Sequence, residues 1–214
     1  MGVDLPEVSI SDAEQVAALP WDDIDVVINA AAWTNVDGAE TPEGRRATWQ
    51  ANSTGPAILA REATAHGATM VHISTEYVFD GTQDVHVEDE APSPLGAYGQ
   101  SKAGGDAAVA STPKHYIVRT SWVVGDGKNF LKTMASLAEQ GTSPSVVSDQ
   151  VGRLTFTSDL AKGIIHLLTS DAPFGTYNLS GEGPVMSWAQ IAKRVFELCG
   201  RNPEDVTEVT TEEY

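Results

Sequence analysis

Three short runs dominated by apolar residues limit this chain's fold more than any other feature. Asp25-Val26-Val27-Ile28-Asn29-Ala30, Thr69-Met70-Val71-His72-Ile73-Ser74 and His115-Tyr116-Ile117-Val118-Arg119-Thr120-Ser121 are too short for independent helices and lack a regular polar alternation. Each predicts a strand buried on both faces. Between the first two the pattern is helical from about Glu43 to Ala65, broken around Thr54-Gly55-Pro56 and closed by Gly67. Tyr98 opens another helix after a long loop. Beyond the third strand come a helix over Asn129–Glu139, an extended piece at Pro144–Val147, a helix over Ser158–Thr169 and a strand at Gly175–Leu179. Ser187 caps a last helix that reaches about Cys199, with Gly200 as its stop. Strands buried on both faces and alternating with helices predict an α/β fold, a doubly wound parallel sheet covered by helices.

In such sheets ligands gather at the carboxyl ends of the strands. Asn29-Ala30-Ala31-Ala32 leaves the first strand, Ser74-Thr75-Glu76-Tyr77 the second and Thr120-Ser121-Trp122 the third. Small residues at the first exit allow close approach to the backbone, and a hydroxyl at the second can hydrogen-bond a reacting oxygen. Tyr98 and Lys102 stand four apart, on one face of a helix. A free tyrosine titrates near ~10, and a lysine beneath it is expected to favour the phenolate and bring the phenol toward acid–base work. Tyr-x-x-x-Lys also arises often by chance; its place after Thr75 makes it a candidate for proton transfer.

Charge and composition exclude several classes. A formal net charge of −17 argues against a nucleic-acid partner, because that binding neutralises phosphates with basic residues. A small anionic ligand needs only a few local donors. No apolar run approaches membrane-spanning length and the N-terminus lacks a secretory pattern, so cytoplasmic residence is expected. Cys199, at an apolar position of a helical pattern, reads as core. His72 reads as a satisfied core histidine. His66, His86, His115 and His166 share no metal-ligand spacing with Cys199, so no metal site is expected.

Several longer motifs carry a resemblance along nearly the whole chain. They are Asn29-Ala30-Ala31-Ala32-Trp33-Thr34-Asn35-Val36-Asp37-Gly38-Ala39-Glu40, His72 to Gly81, Tyr98-Gly99-Gln100-Ser101-Lys102, and Arg119-Thr120-Ser121-Trp122-Val123. Asp149-Gln150-Val151-Gly152 and Gly175 to Gly181 add to them. The chain resembles the dTDP-4-dehydrorhamnose reductase family of extended short-chain dehydrogenases/reductases. That resemblance implies a Rossmann-like fold and reduction of the 4-keto group of a dTDP-4-dehydro-6-deoxy-L-hexulose by NADPH or NADH, giving dTDP-L-rhamnose. Thr75 and Tyr98 would hydrogen-bond the keto oxygen, and Lys102 would bind the nicotinamide ribose. Asn29, Ala30, Ala31, Asn52 and Ser74, with Tyr98 and Lys102, match cofactor-contacting positions. Val36, Thr75, Tyr77 and Trp122 match positions near the sugar, although for Trp122 simple packing is an equal alternative. Trp33, Trp49 and Trp188 are left to core or interface.

The resemblance also sets expectations about organisation. Residues 1–145 would be a partial dinucleotide-binding domain with the catalytic pair, and residues 146–214 mostly a substrate-binding part interleaved with the sheet domain. The family's Gly-rich phosphate turn and its final Pro-rich stretch have no match here, so the chain is expected to be an incomplete version that holds a dinucleotide weakly. Glu76 stands where the family usually has Asp. A homodimer, or fusion to another domain of dTDP-rhamnose biosynthesis, is left open as the assembly. Two other readings stand beside the reductase. One is a non-catalytic regulatory protein on this fold, like the methionine adenosyltransferase beta subunit. The other is a different nucleotide-sugar epimerase or dehydratase.

Overall fold

The three apolar runs become neighbouring strands of one parallel sheet, β1 (Val26–Asn29), β2 (Thr69–Thr75) and β3 (His115–Thr120). In the computed structural model, which describes every residue from Met1 to Tyr214, a fourth strand, Gly175–Asn178, pairs parallel with β3. Spatial order follows chain order from β1 through β2 and β3 to Gly175–Asn178. Register places Asn29 beside His72, Ser74 beside Arg119 and Thr75 beside Thr120, so the strand exits chosen from the sequence share one edge of the sheet. The fold is the parallel α/β arrangement that the alternation predicts and the Rossmann-like one that the resemblance implies.

Two expectations about these elements are corrected. β2 and β3 are buried on both faces, with Met70, Val71, His72, Ile117 and Val118 all essentially inaccessible. β1 is instead an edge strand, as Gly175–Asn178 is at the other side. Its Val27 packs into the core while Val26 is 38% and Ile28 51% exposed, because alternate side chains of an edge strand point to opposite faces and only one is covered. Nor does the helix before β2 break at Thr54-Gly55-Pro56. After the short α1 (Ala13–Ala17), helix α2 (Pro42–Trp49) runs through a π-helical turn at Gln50–Thr54 into α3 (Gly55–His66). The wider turn absorbs the proline that an unbroken α-helix would resist, and such turns often mark functional sites.

The chain divides into two units, Met1–Thr120 with Ile164–Leu179, and Ser121–Gly163 with Ser180–Tyr214. The N-terminal stretch of the first unit ends at Thr120, and packing within each unit gives the reason. In the first unit Leu59, Ala60 and Ala63 of α3 and Val109 of α4 (Ala97–Val109) cover Met70 and Ile117 of the sheet. In the second unit Met134 and Ala138 of α5 (Phe130–Glu139) join Val146, Ala189, Ala192, Phe196 and Val206 in a separate core. α5 thus belongs with the C-terminal segments and not with the sheet. Helix α6 (Thr157–Thr169) returns the chain to the first unit, which explains why Gly175–Asn178 can join β3. Ser145–Val147 pairs with Thr207–Val209, outside the main sheet.

The last helix, α7 (Trp188–Leu198), starts at Ser187, whose hydroxyl accepts from Gln190 N while the Gln190 side chain accepts from Ser187 N. This reciprocal capping box satisfies two otherwise unpaired donors. Cys199 is the exposed C-cap of that helix and not a core residue, since the apolar face is taken by Ile191, Val195 and Phe196. No helix is long and apolar enough to cross a membrane.

Candidate active site

Helix α4 brings the chemistry to the sheet edge because its sequence lets it approach closely. A Cβ at Gly99 would lie 2.1 Å from Tyr77 O, and one at Gly105 would lie 2.2 Å from Asn52 O. Glycine at both positions lets the helix lie directly against two backbone segments. Its first turn is also anchored. Glu40 Oε1 accepts from Ala97 N at 2.6 Å, which places a carboxylate at the positive end of the helix next to Tyr98. Sequence reasoning gave Glu40 no role; only its place within a longer motif pointed to it.

One face of α4 carries Tyr98, Lys102 and Asp106, spaced by four and again by four. Lys102 is 2% exposed and donates from Nζ to Ile73 O at 2.5 Å, so the lysine lies against the end of β2. Burial lowers its pKa to about 8, with Asp106 opposing the shift. Asp106 is itself buried. Its Oδ2 accepts from Arg119 Nε of β3 at 3.1 Å, and His72 Nε2 lies 3.8 Å from its other oxygen. Burial raises the Asp106 pKa, while Ser74 and Arg119 favour its charged form. His72 accordingly stays neutral, its pKa pushed well down by burial and then by Lys102. Its Nδ1 meets Asn29 Nδ2 at 3.1 Å, but its buried Nε2 has no hydrogen-bond partner, so the histidine is a core residue that is only half satisfied, and the expectation of a satisfied one is corrected. Asp106 and Arg119 went unassigned from the sequence, although an acidic residue four beyond Lys102 and an arginine within an apolar strand were readable signals.

Tyr98 and Lys102 meet the end of β2, where Thr75 lies. Thr75 Oγ1 donates to Glu76 Oε2 at 3.0 Å and accepts from Tyr77 N at 3.2 Å. The Tyr77 and Tyr98 rings pack edge to face with centroids 5.8 Å apart. The Tyr98 pKa is raised to about 12, first by burial and next by the charge of Glu76, while a hydrogen bond with Thr75 pulls the other way. This reverses the expected electrostatics. Lys102 does not hold the phenol down; burial and Glu76 outweigh any help, and the ammonium is turned to the Ile73 carbonyl. Tyr98 is a phenol at neutral pH, suited to giving a proton.

The remaining predicted residues separate by location. Asn29 is buried and accepts from Ala31 N, shaping the exit of β1, where Ala30 and Ala31 are exposed. Asn52, in the π-helical turn, is wholly inaccessible. Its side chain accepts from Trp33 N at 2.8 Å and donates to Trp33 O and Ser101 Oγ. It therefore clamps the loop after β1 to α4, and any part in cofactor binding is indirect. Ser74 is buried, and Val36 is exposed at the start of a 3₁₀ turn. Trp122 belongs to the second unit, where its ring stacks on Trp188 at 3.7 Å and a Cβ on Gly152 would lie 2.8 Å from it. Trp49 is half exposed.

Known proteins of similar sequence and structure show the family to which the chain belongs. The RmlD substrate binding domain model matches residues 1–214. A dTDP-4-dehydrorhamnose reductase of Mycobacterium tuberculosis is 39% identical over 199 residues, covering 89% of this chain and 64% of that protein. The spore coat polysaccharide biosynthesis protein SpsK of Bacillus subtilis is 42% identical over 194 residues, covering 89% of this chain and 66% of its own. This chain thus spans about two thirds of the length of those relatives. Among solved structures, the dTDP-4-dehydrorhamnose reductase of Bacillus anthracis in complex with NADP superposes with a TM-score of 0.90 at 35% identity, over 99% of this chain and 75% of that one. Matched along its whole length, with Thr75, Tyr98 and Lys102 gathered at one sheet edge, the chain belongs to the RmlD substrate binding domain family.

Proposed function

We propose that this chain carries the proton-transfer half of an NADPH- or NADH-dependent reductase that converts a dTDP-4-dehydro-6-deoxy-L-hexulose to dTDP-L-rhamnose. The observation that supports it best is the Tyr98 phenol, protonated and buried beside Thr75, on the same helix face as a lysine at the end of β2. The residues present fit the nicotinamide-ribose half of such a cofactor. Lys102 has three ammonium hydrogens, of which Ile73 O takes one, and the small Ala30 and Ala31 leave the exit of β1 unobstructed. Lys102, Tyr98, Asn29, Ala30, Ala31 and Ser74 would hold it, with Asn52 fixing the loop between them.

The bound cofactor would supply a hydride to the keto carbon. Charge then develops on the keto oxygen, and Tyr98 gives it the phenolic proton, leaving alcohol and phenolate. Val36, Thr75 and Tyr77 are assigned to the sugar. Trp122 is assigned to it on the resemblance, beside its packing on Trp188. The first unit would serve the cofactor and the second mostly the substrate. A cytoplasmic enzyme, acting as a homodimer or fused to another domain of the same biosynthesis, is the setting this reading carries. The test is oxidation of NADPH by the full-length protein, dependent on the keto sugar, with dTDP-L-rhamnose as product. Absence of turnover by a folded full-length protein overturns the reading.

A further inference from the structure

Asn29 and His72 are register partners on β1 and β2, and their side chains meet where β1 ends. An amide nitrogen can only donate, so Asn29 Nδ2 gives a hydrogen to His72 Nδ1 at 3.1 Å, and that ring nitrogen must carry none. The amide cannot be turned round. Ala31 N–H donates to Asn29 Oδ1 at 3.2 Å, and reversal would set two donors against each other there. The neutral ring therefore has its hydrogen on Nε2. That nitrogen faces α4, where Asp106 Oδ1 lies 3.8 Å away and a Cβ on Gly105 would come within 3.3 Å. Nε2 and Oδ1 are both buried, and neither has a hydrogen-bond partner. Asp106 Oδ2 is taken by Arg119 Nε at 3.1 Å, which leaves Oδ1 for the ring. A carboxylate oxygen at that distance attracts an N–H and repels a bare nitrogen lone pair. Asp106 thus selects the tautomer whose Nδ1 is free to accept.

Resting on the reductase reading, which gives Asn29, Ala30 and Ala31 to the cofactor, we propose that His72 is a positioning residue for the exit of β1. It acts through Asn29, and Asp106 acts through it. Asp106 sets the tautomer, the tautomer holds the Asn29 amide, and the amide holds Ala31 N–H. A ring with its hydrogen on Nδ1 would push the amide round and release Ala31. Asn52 holds the same loop further on, at Trp33, so that release would be local. The cost of ordering Ala31 again would then fall on cofactor binding and not on the proton step. Asp106 stands on the face of α4 that carries Tyr98 and Lys102, so the device ties the cofactor loop to the helix of the proton donor.

The tautomer can be observed directly, without substrate or cofactor. In the full chain carrying isotope-labelled histidine, long-range proton–nitrogen correlation spectra at neutral pH should show His72 protonated on Nε2 and bare on Nδ1. Exchange of the Ala31 amide with solvent should quicken about tenfold in His72→Leu, which removes the acceptor. It should return in His72→Asn, whose side-chain oxygen can stand where Nδ1 stood. In the full-length enzyme the KM for NADPH should rise about fivefold to tenfold in His72→Leu, with kcat changed by less than about twofold, and His72→Asn should recover most of the loss. Asparagine fills the site less well than leucine, so its better behaviour cannot come from packing. A ring protonated on Nδ1 overturns the proposal, and so does a folded His72→Leu protein in which Ala31 exchange and KM are unmoved. Equal losses in the two variants also overturn it, because they report packing alone. If His72→Leu does not fold, the tautomer of the unaltered chain decides. Failure of the reductase reading shows separately, as absent turnover while the tautomer and the Ala31 exchange behave as stated.

Discussion

The two units of this chain solve the problem of burial in opposite ways. The second closes on a core of Met134, Ala138, Val146, Ala189, Ala192, Phe196 and Val206, with no ionisable side chain buried in it. The first buries Lys102, Asp106, Arg119 and His72 together, alongside an apolar core of its own. Burying a charge costs free energy that burying a methylene returns, so the cluster is poorly explained as a device for stability. Its members lie on or against the helix face that carries Tyr98. On the proposed reductase reading, the contrast marks where folding free energy is given up to hold proton-transfer groups out of water.

The comparison predicts different consequences for deletions in the two units. Tyr98→Phe should lower kcat of the full-length enzyme by about 100- to 10,000-fold, the range for loss of a general acid, with little change in stability. Steady-state kinetics beside a denaturant titration would show it, and unchanged turnover would remove Tyr98 as proton donor. Phe196→Ala in the second unit should do the reverse, costing about 3–5 kcal/mol of unfolding free energy through the cavity it leaves. Arg119→Met should cost about 3 kcal/mol, because it leaves the buried Asp106 facing Lys102 without its bonded partner. That loss should shrink as pH falls. An Asp106 deprived of Arg119 has its folded pKa raised further, so the folded state binds the extra proton and gains stability toward acid. A loss independent of pH would mean that Arg119 acts through its contacts with Phe79 and Glu88 O instead.

Much of this was legible in the sequence, and the failures have physical causes. The buried runs gave β2 and β3, and the strand exits placed Thr75 near Tyr98, because a parallel sheet aligns its carboxyl ends. Apolar content could not show that β1 lies at an edge, since strand order is a property of long-range pairing. The π-helical turn was read as a break because Gly55-Pro56 signals one locally and tertiary packing overrides it. The sign of the Tyr98 shift was lost for a related reason. Spacing reports that a lysine is near, but not that its ammonium is spent on Ile73 O, nor how much water burial removes from the phenol.

Lys102 gives the smallest effect on stability and the most discriminating one. Its pKa falls from 10.5 unfolded to about 8 folded, so the charged lysine costs the fold about 3 kcal/mol at most at pH 7. The bond to Ile73 O returns about 1 kcal/mol of this. Lys102→Met, similar in length and uncharged, should therefore abolish turnover yet raise stability at pH 7 by about 1–2 kcal/mol. The pH dependence follows from the same shift. Above pH 8 the folded lysine releases its proton while the unfolded one still holds it, so the native protein gains stability as pH rises toward 10. Beyond 10 the unfolded form of Tyr98 ionises before the folded form, and stability falls again. The advantage of Lys102→Met should thus be largest below pH 8 and fade between 8 and 10. A variant destabilised at pH 7, or a difference that stays flat across that window, would show that Lys102 is a stabilising ion of the core, and the contrast between the two units would lose its functional meaning.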